Sequence, residues 1–106
     1  MANEIITSLA KVGKAVTSLT ETAKDLVPQR KKRSVLLEQE LILLKHVCRA
    51  RGIEALTSAS LDMLAATNRR IQQYNHTGPA LQMDMRILTL QYEMLEHNLR
   101  SYESNF

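Results

Sequence analysis

From Leu81 to Tyr102 an apolar residue fills every slot of a seven-residue repeat: Leu81, Met85, Leu88, Tyr92, Leu95, Leu99 and Tyr102, in alternating steps of four and three. The same rhythm runs near the start of the chain through Ile5, Leu9, Val12, Val16, Leu19, Ala23 and Leu26. With 44% of residues apolar, seven filled slots in a given register arise by chance about a few times in a thousand. Such steps keep side chains on one stripe of an α-helix, the seam along which helices pack on one another. The expected fold is all-α: a bundle of three to four helices with a coiled-coil-like amphipathic helix at its N-terminus.

Composition points the same way. Three Tyr, one Phe and no Trp leave Leu, Ile, Val, Met and Ala to build the core, and three Gly with two Pro are too few to turn a multi-stranded β-chain. The 106 residues suit one domain. Cys48, the single cysteine, has no partner for an intrachain disulfide, which suits a reducing compartment. No apolar run approaches the ~20 residues needed to span a bilayer. Glu4, Lys11 and Lys14 interrupt the order of a signal peptide. A cytoplasmic location is the expectation, with export lacking a cleaved signal as an alternative.

Punctuation divides the chain into three parts. Residues 1–28 read as the amphipathic helix, starting at Asn3 and stopping before Pro28. Its Thr, Ser and Gly13 content makes it weak in isolation, so its seam needs a partner surface. Residues 29–33 read as a basic linker, and residues 34–106 as a compact helical unit. Within that unit Ser34 is the expected N-cap of a second helix, ended by Gly52 in the left-handed conformation. Leu37, Leu41, Leu44 and Cys48 form its main stripe, widened by Leu36, Leu43 and Val47. Val35 and Ile42 fall elsewhere, so this helix is expected to be the most buried element. A third helix is predicted from Ser58 or Ser60 to Tyr74, and Pro79 suits the first position of a fourth.

The fourth helix carries a second stripe, Met83, Ile87, Leu90 and Met94, about 200° from its main seam. Two nearly opposite apolar sides imply either a helix sandwiched within one chain or an interface with another chain. Met83, Met85 and Met94 add flexible thioethers of the kind common on adaptable surfaces.

Catalytic and metal chemistry find little support. His46 and Cys48, two residues apart on a helix, diverge and cannot form a nucleophile–base pair. His46, His76 and His97 share no helical face, and the residue three before His97 is Met94, so no Glu-x-x-His metal pattern exists. Glu93 and Glu96 stand four residues before His97 and Arg100, the spacing of surface ion pairs, and with Arg86 they form a polar stripe. Gly-rich phosphate loops, Cys-x-x-Cys and Gly-x-Ser-x-Gly are missing. The reading is a non-enzyme with no cofactor, no metal and no small-molecule substrate indicated.

Charge is uneven despite a net +3: residues 30–51 hold seven basic and two acidic side chains, residues 79–106 two basic and four acidic. These segments can attract each other within the fold or between copies. Arg30, Lys31, Lys32 and Arg33, with Arg49 and Arg51, form a candidate basic patch for nucleic-acid phosphate or anionic lipid. Arg69 and Arg70 diverge, and the stretch from Arg51 to Ser60 is too long for a helix-turn-helix, so base-specific reading is not indicated.

The expected function is non-enzymatic protein–protein interaction: a self-assembling subunit, or a small adaptor or inhibitor of another protein. Its surfaces would be the N-terminal seam (Ile5, Leu9, Val12, Val16, Leu19, Leu26) and the second face of the last helix (Met83, Ile87, Leu90, Met94). Electrostatic binding to nucleic acid or an anionic membrane through residues 30–33 is the second reading.

Overall fold

A computed structural model describes residues 3–21, 27–73 and 75–104. Ala23, Leu26 and Tyr74, each given a place on a helix above, lie outside those residues. The chain forms four α-helices packed against each other: α1 (Asn3–Glu21), α2 (Val27–Ala50), α3 (Glu54–Gln72) and α4 (Gly78–Ser104). Each helix packs along its neighbour in the chain and α1 closes the ring onto α4, while the diagonal pairs α1/α3 and α2/α4 have no Cα atoms within 8 Å of each other. Cross-links set the directions. Arg33 reaches Ser18 and Arg51 reaches Glu4, so α1 and α2 are antiparallel. Ser34 meets Asn68 and Lys45 meets Asp62, so α2 and α3 are too. The bundle is 43 Å long and 19 Å across, its length matching the 27 residues of α4 at about 1.5 Å each.

The heptad seams meet at the centre. Ile5, Leu9, Val12, Val16 and Leu19 of α1 pack with Leu37, Leu41, Leu44 and Cys48 of α2, Leu61, Leu64 and Ile71 of α3, and Leu81, Met85, Leu88, Leu95 and Leu99 of α4. All are buried. Tyr92 and Tyr102 of the last seam pack partly buried against them. At Gly13 a Cβ would run into the Tyr92 phenol, so this glycine, a poor helix former, lets α4 approach α1 closely. The Tyr92 hydroxyl there donates to the Leu9 carbonyl at 3.3 Å.

The basic linker expected at residues 29–33 is instead helical, as the opening turns of α2. Pro28 falls in the first turn, where a missing N–H costs nothing, and Arg and Lys are good helix formers. Ser34 is accordingly no cap. It lies fully buried on α2, donating to Asn68 Oδ1 at 2.6 Å while Asn68 Nδ2 donates to the Ser34 carbonyl at 2.9 Å. α1 is likewise no separate unit, because its seam forms one wall of the common core.

Gly52 takes the left-handed conformation expected of it, φ +74. Its N–H bonds the Arg49 carbonyl at 3.0 Å and the Ile53 N–H bonds the Cys48 carbonyl at 2.9 Å, a Schellman closure with Ile53 and Cys48 both in the core. That tight exit starts α3 at Glu54, a turn before the predicted Ser58 or Ser60. No side chain caps it. Instead Arg49 Nε and Nη2, in the last turn of α2, fork onto the Glu54 carboxylate at 3.1 and 3.0 Å, each charge sitting at the helix end that favours it.

Removing the buried amide should therefore cost more than a surface change. Asn68→Ala removes the 2.6 Å acceptor of the Ser34 hydroxyl in a closed core, leaving it only the Asn68 backbone carbonyl at 3.3 Å, and should lower stability by about 1–3 kcal/mol, seen as a shifted urea midpoint at constant slope. In a double-mutant cycle with Ser34→Ala, the combined loss should fall short of the sum.

Candidate functional site

A corner helix of a four-helix ring can bury only part of its circumference, and α4 shows which part. On its α3 side, Gln91 Oε1 accepts from Thr67 Oγ1 at 2.8 Å and Asp84 Oδ1 accepts from Arg70 Nη2 at 3.1 Å. On its α1 side Tyr92 lies over Gly13. Leu81, Leu88 and Leu95 point inward. The remaining arc carries Met83, Leu90 and Met94, exposed by 55, 59 and 61%, with Ile87 half-buried. Thus the second stripe faces away from the bundle, and α4 is not sandwiched within its own chain. The pairings Thr67–Gln91 and Arg70–Asp84 put Met63 of α3, itself 50% exposed, level with Met94 at the edge of this face.

A second apolar face appears where the sequence suggested burial. Val35, Leu36, Ile42 and Leu43 stand out on α2 with 38–52% of their surface exposed, so α2 is not the most buried element. Its apolar residues encircle the helix, and a corner position has contacts for only about a third of a turn. Because α2 and α4 are diagonal, the two faces lie on opposite edges of the bundle. Thr7, Lys11, Lys14, Thr17 and Glu21 make the exterior of α1 polar by contrast.

The N-terminal seam is not a docking surface. Ile5, Leu9, Val12, Val16 and Leu19 are at most 3% exposed, because α2 and α4 are the partner surface that this weak helix requires. The basic patch also disperses. Arg30 is buried and donates through Nη2 to the Gln73 carbonyl at 3.2 Å, and Arg33 Nη1 donates to the Ser18 carbonyl at 2.8 Å. Arg49 is forked onto Glu54, and Arg51 Nε lies 3.7 Å from Glu4, at the far end of the helix. Arg69 and Arg70 face Glu38 and Asp84. Lys31 and Lys32 stay exposed, and among the described residues neither enters an ion pair.

Sequence reasoning missed a polar cluster where α3 turns into α4. Asp84 accepts from Arg70, and its Oδ2 lies 2.7 Å from His76 Nε2, with both side chains largely buried. Arg70 Nη2 also donates to Thr67 Oγ1 at 3.2 Å, so the chain of contacts runs on to Gln91. The hydrogen bond from Arg70, aided by His76 and opposed by burial, holds the Asp84 carboxyl below its usual range. No spacing rule within one helix could have found these partners, which come from two helices and the turn between them.

Neither a reactive thiol nor a metal-binding group emerges. Cys48 is buried beside Thr57, and burial raises its pKa, which keeps the thiol protonated and inert. Among the described residues no three His, Cys, Asp or Glu side chains are grouped to hold a metal ion, and no helix is long and apolar enough to cross a membrane. One open surface groove runs between α1 and α2 along Glu4, Lys11, Glu40 and Leu43, and a shallow concavity on α4 alone lies along Leu90, Met94 and His97. No protein-family model, curated protein or solved structure matches this chain.

A carboxylate stabilised in its charged form contributes above its unfolded pKa, about 4, and loses that contribution as pH falls through its lower folded value. Asp84→Asn should therefore be less stable than the native chain at pH 7. Denaturation curves should converge as the pH falls below about 4.

Proposed function

We propose that this chain is a non-enzymatic protein–protein interaction module that acts through the outward face of α4, first of all by self-association. The observation that carries this reading is the row Met83, Ile87, Leu90 and Met94, left open on the side of α4 that faces away from α1 and α3. A half-exposed Leu or Met returns about 1 kcal/mol on full burial, so two such rows together gain several kcal/mol. That is comparable with the cost of bringing two chains together, about 4 kcal/mol or more, which implies concentration-dependent association rather than a permanent complex. The single buried thiol suits a reducing cytoplasm for this role. An adaptor or inhibitor that offers the same face to a different protein is the variant of this reading in which the second surface is not its own.

Light scattering over a concentration series should give a mass that rises from 12.0 kDa toward a multiple of it. Leu90→Glu or Met94→Glu should hold the mass at the monomer value while helix content by circular dichroism stays unchanged. A native chain that is monomeric throughout would remove self-association from the proposal.

One observation favours a second reading. Lys31 and Lys32 adjoin the exposed Val35 and Leu36 on α2, and cations beside aliphatic side chains suit an anionic lipid surface. Sedimentation with phosphatidylserine vesicles should then fall on Lys31→Gln/Lys32→Gln and in high salt. Equal binding to neutral phosphatidylcholine vesicles would count against it.

A further inference from the structure

Resting on the self-association reading of that face, we propose that α4 pairs with α4 of a second copy in an antiparallel contact, about a twofold axis passing between positions 88 and 89. Two features of the outward face carry this arrangement.

The first is the spacing of the stripe. Met83, Ile87, Leu90 and Met94 follow steps of four, three and four, which read the same in both directions. Reversing one helix against the other sets Met83 opposite Met94 of the second copy and Ile87 opposite Leu90. Thioethers then meet thioethers and branched aliphatics meet each other, each layer occurring twice. Met63, level with Met94, extends the outer layer on its own copy.

The second feature is charge. The stripe has two flanks. The flank toward α3 is engaged, Asp84 by Arg70 and His76, and Gln91 by Thr67. The free flank holds Arg86 and Glu93, both exposed and, among the described residues, in no ion pair. They are seven residues apart on one side of the helix, about 10 Å along its axis, too far to pair with each other. In an antiparallel contact like flanks meet. Arg86 of each copy then stands beside Glu93 of the other, giving two equivalent ion pairs at the rim. In a parallel contact this flank meets the opposite flank of the other copy, Arg86 faces Gln91, and no opposite charges come together. Charge thus selects the orientation, and the twofold axis closes the assembly at two chains.

The α2 face does not offer the same contact. Its rim carries Lys31 and Lys32, unpaired among the described residues, Arg49 is held by Glu54, Glu38 is turned to Arg69, and Glu40 lies in the groove toward α1. Two such faces set together would bring cations against cations.

Charge reversal and cross-linking test the arrangement on the full chain. Arg86→Glu alone or Glu93→Arg alone should weaken association about tenfold or more, because each creates two like-charge contacts. The double variant Arg86→Glu/Glu93→Arg should restore it. Under mild oxidation Met83→Cys/Met94→Cys should form a disulfide-linked dimer, while Met83→Cys alone should not, its two copies lying about 16 Å apart along the axis. Buried Cys48 stays as a silent control in the native chain. Ready cross-linking of Met83→Cys alone would establish a parallel contact and overturn the proposal. If Leu90→Glu yields monomers but the charge variants associate like the native chain, self-association through α4 stands and this register falls. If the native chain is monomeric at every concentration, both fall together.

Discussion

The cationic opening of α2 ties the bundle together. Four basic residues in the first turns of a helix are poorly placed, since the N-terminal end of the helix dipole is itself positive, and no acidic residue sits there to offset them. Two of them find compensation in the neighbours. Arg33 bonds the carbonyl of Ser18, in the last turn of α1, a turn with no basic residue of its own. Arg30, buried, bonds the carbonyl of Gln73 at the C-terminal cap of α3. Those carbonyls belong to helix ends whose acceptors lack intrahelical donors and whose dipoles are negative. One charged turn thereby engages two helix ends and fits α1 and α3 running antiparallel to α2.

The same residues explain what could and could not be read from the chain. The seams of α1 and α4, the left-handed Gly52 and the fourth-helix start near Pro79 follow local rules of periodicity and capping, and they agree with the structure. Arg30 and Arg33 read in sequence as a basic linker and a candidate anion-binding patch because their acceptors lie 43 and 15 residues away. The Ser34–Asn68 pair and the Asp84 cluster are invisible for the same reason: partners on different helices leave no periodic trace. The outer face of α2 departs from its sequence pattern for another reason. An apolar count measures how much a helix would gain by burial, whereas the ring decides how much of it can be covered.

The candidate interaction face was legible as a stripe, although its fate was not. Whether Met83, Ile87, Leu90 and Met94 would be core or surface depended on the place of α4 in the ring, which a single helix does not encode. At a corner, with Gln91 and Asp84 committed to α3 and Tyr92 to α1, the stripe has nowhere to turn but outward. The seam of α1 was legible too, yet its partner is its own chain.

The contact between Gly13 and Tyr92 makes the phenol an intrinsic reporter. The chain has no tryptophan, so its near-ultraviolet absorption comes from tyrosine. Burial, followed by the Glu96 carboxylate, raises the pKa of Tyr92 above the ordinary phenol value. Alkaline titration of the folded chain therefore contains a late-ionising phenol whose delay depends on α1 lying across it. Undocking α1 gives that ring back to water, and the delayed step merges with ordinary tyrosine ionisation, a label-free measure of whether the first helix is in its place.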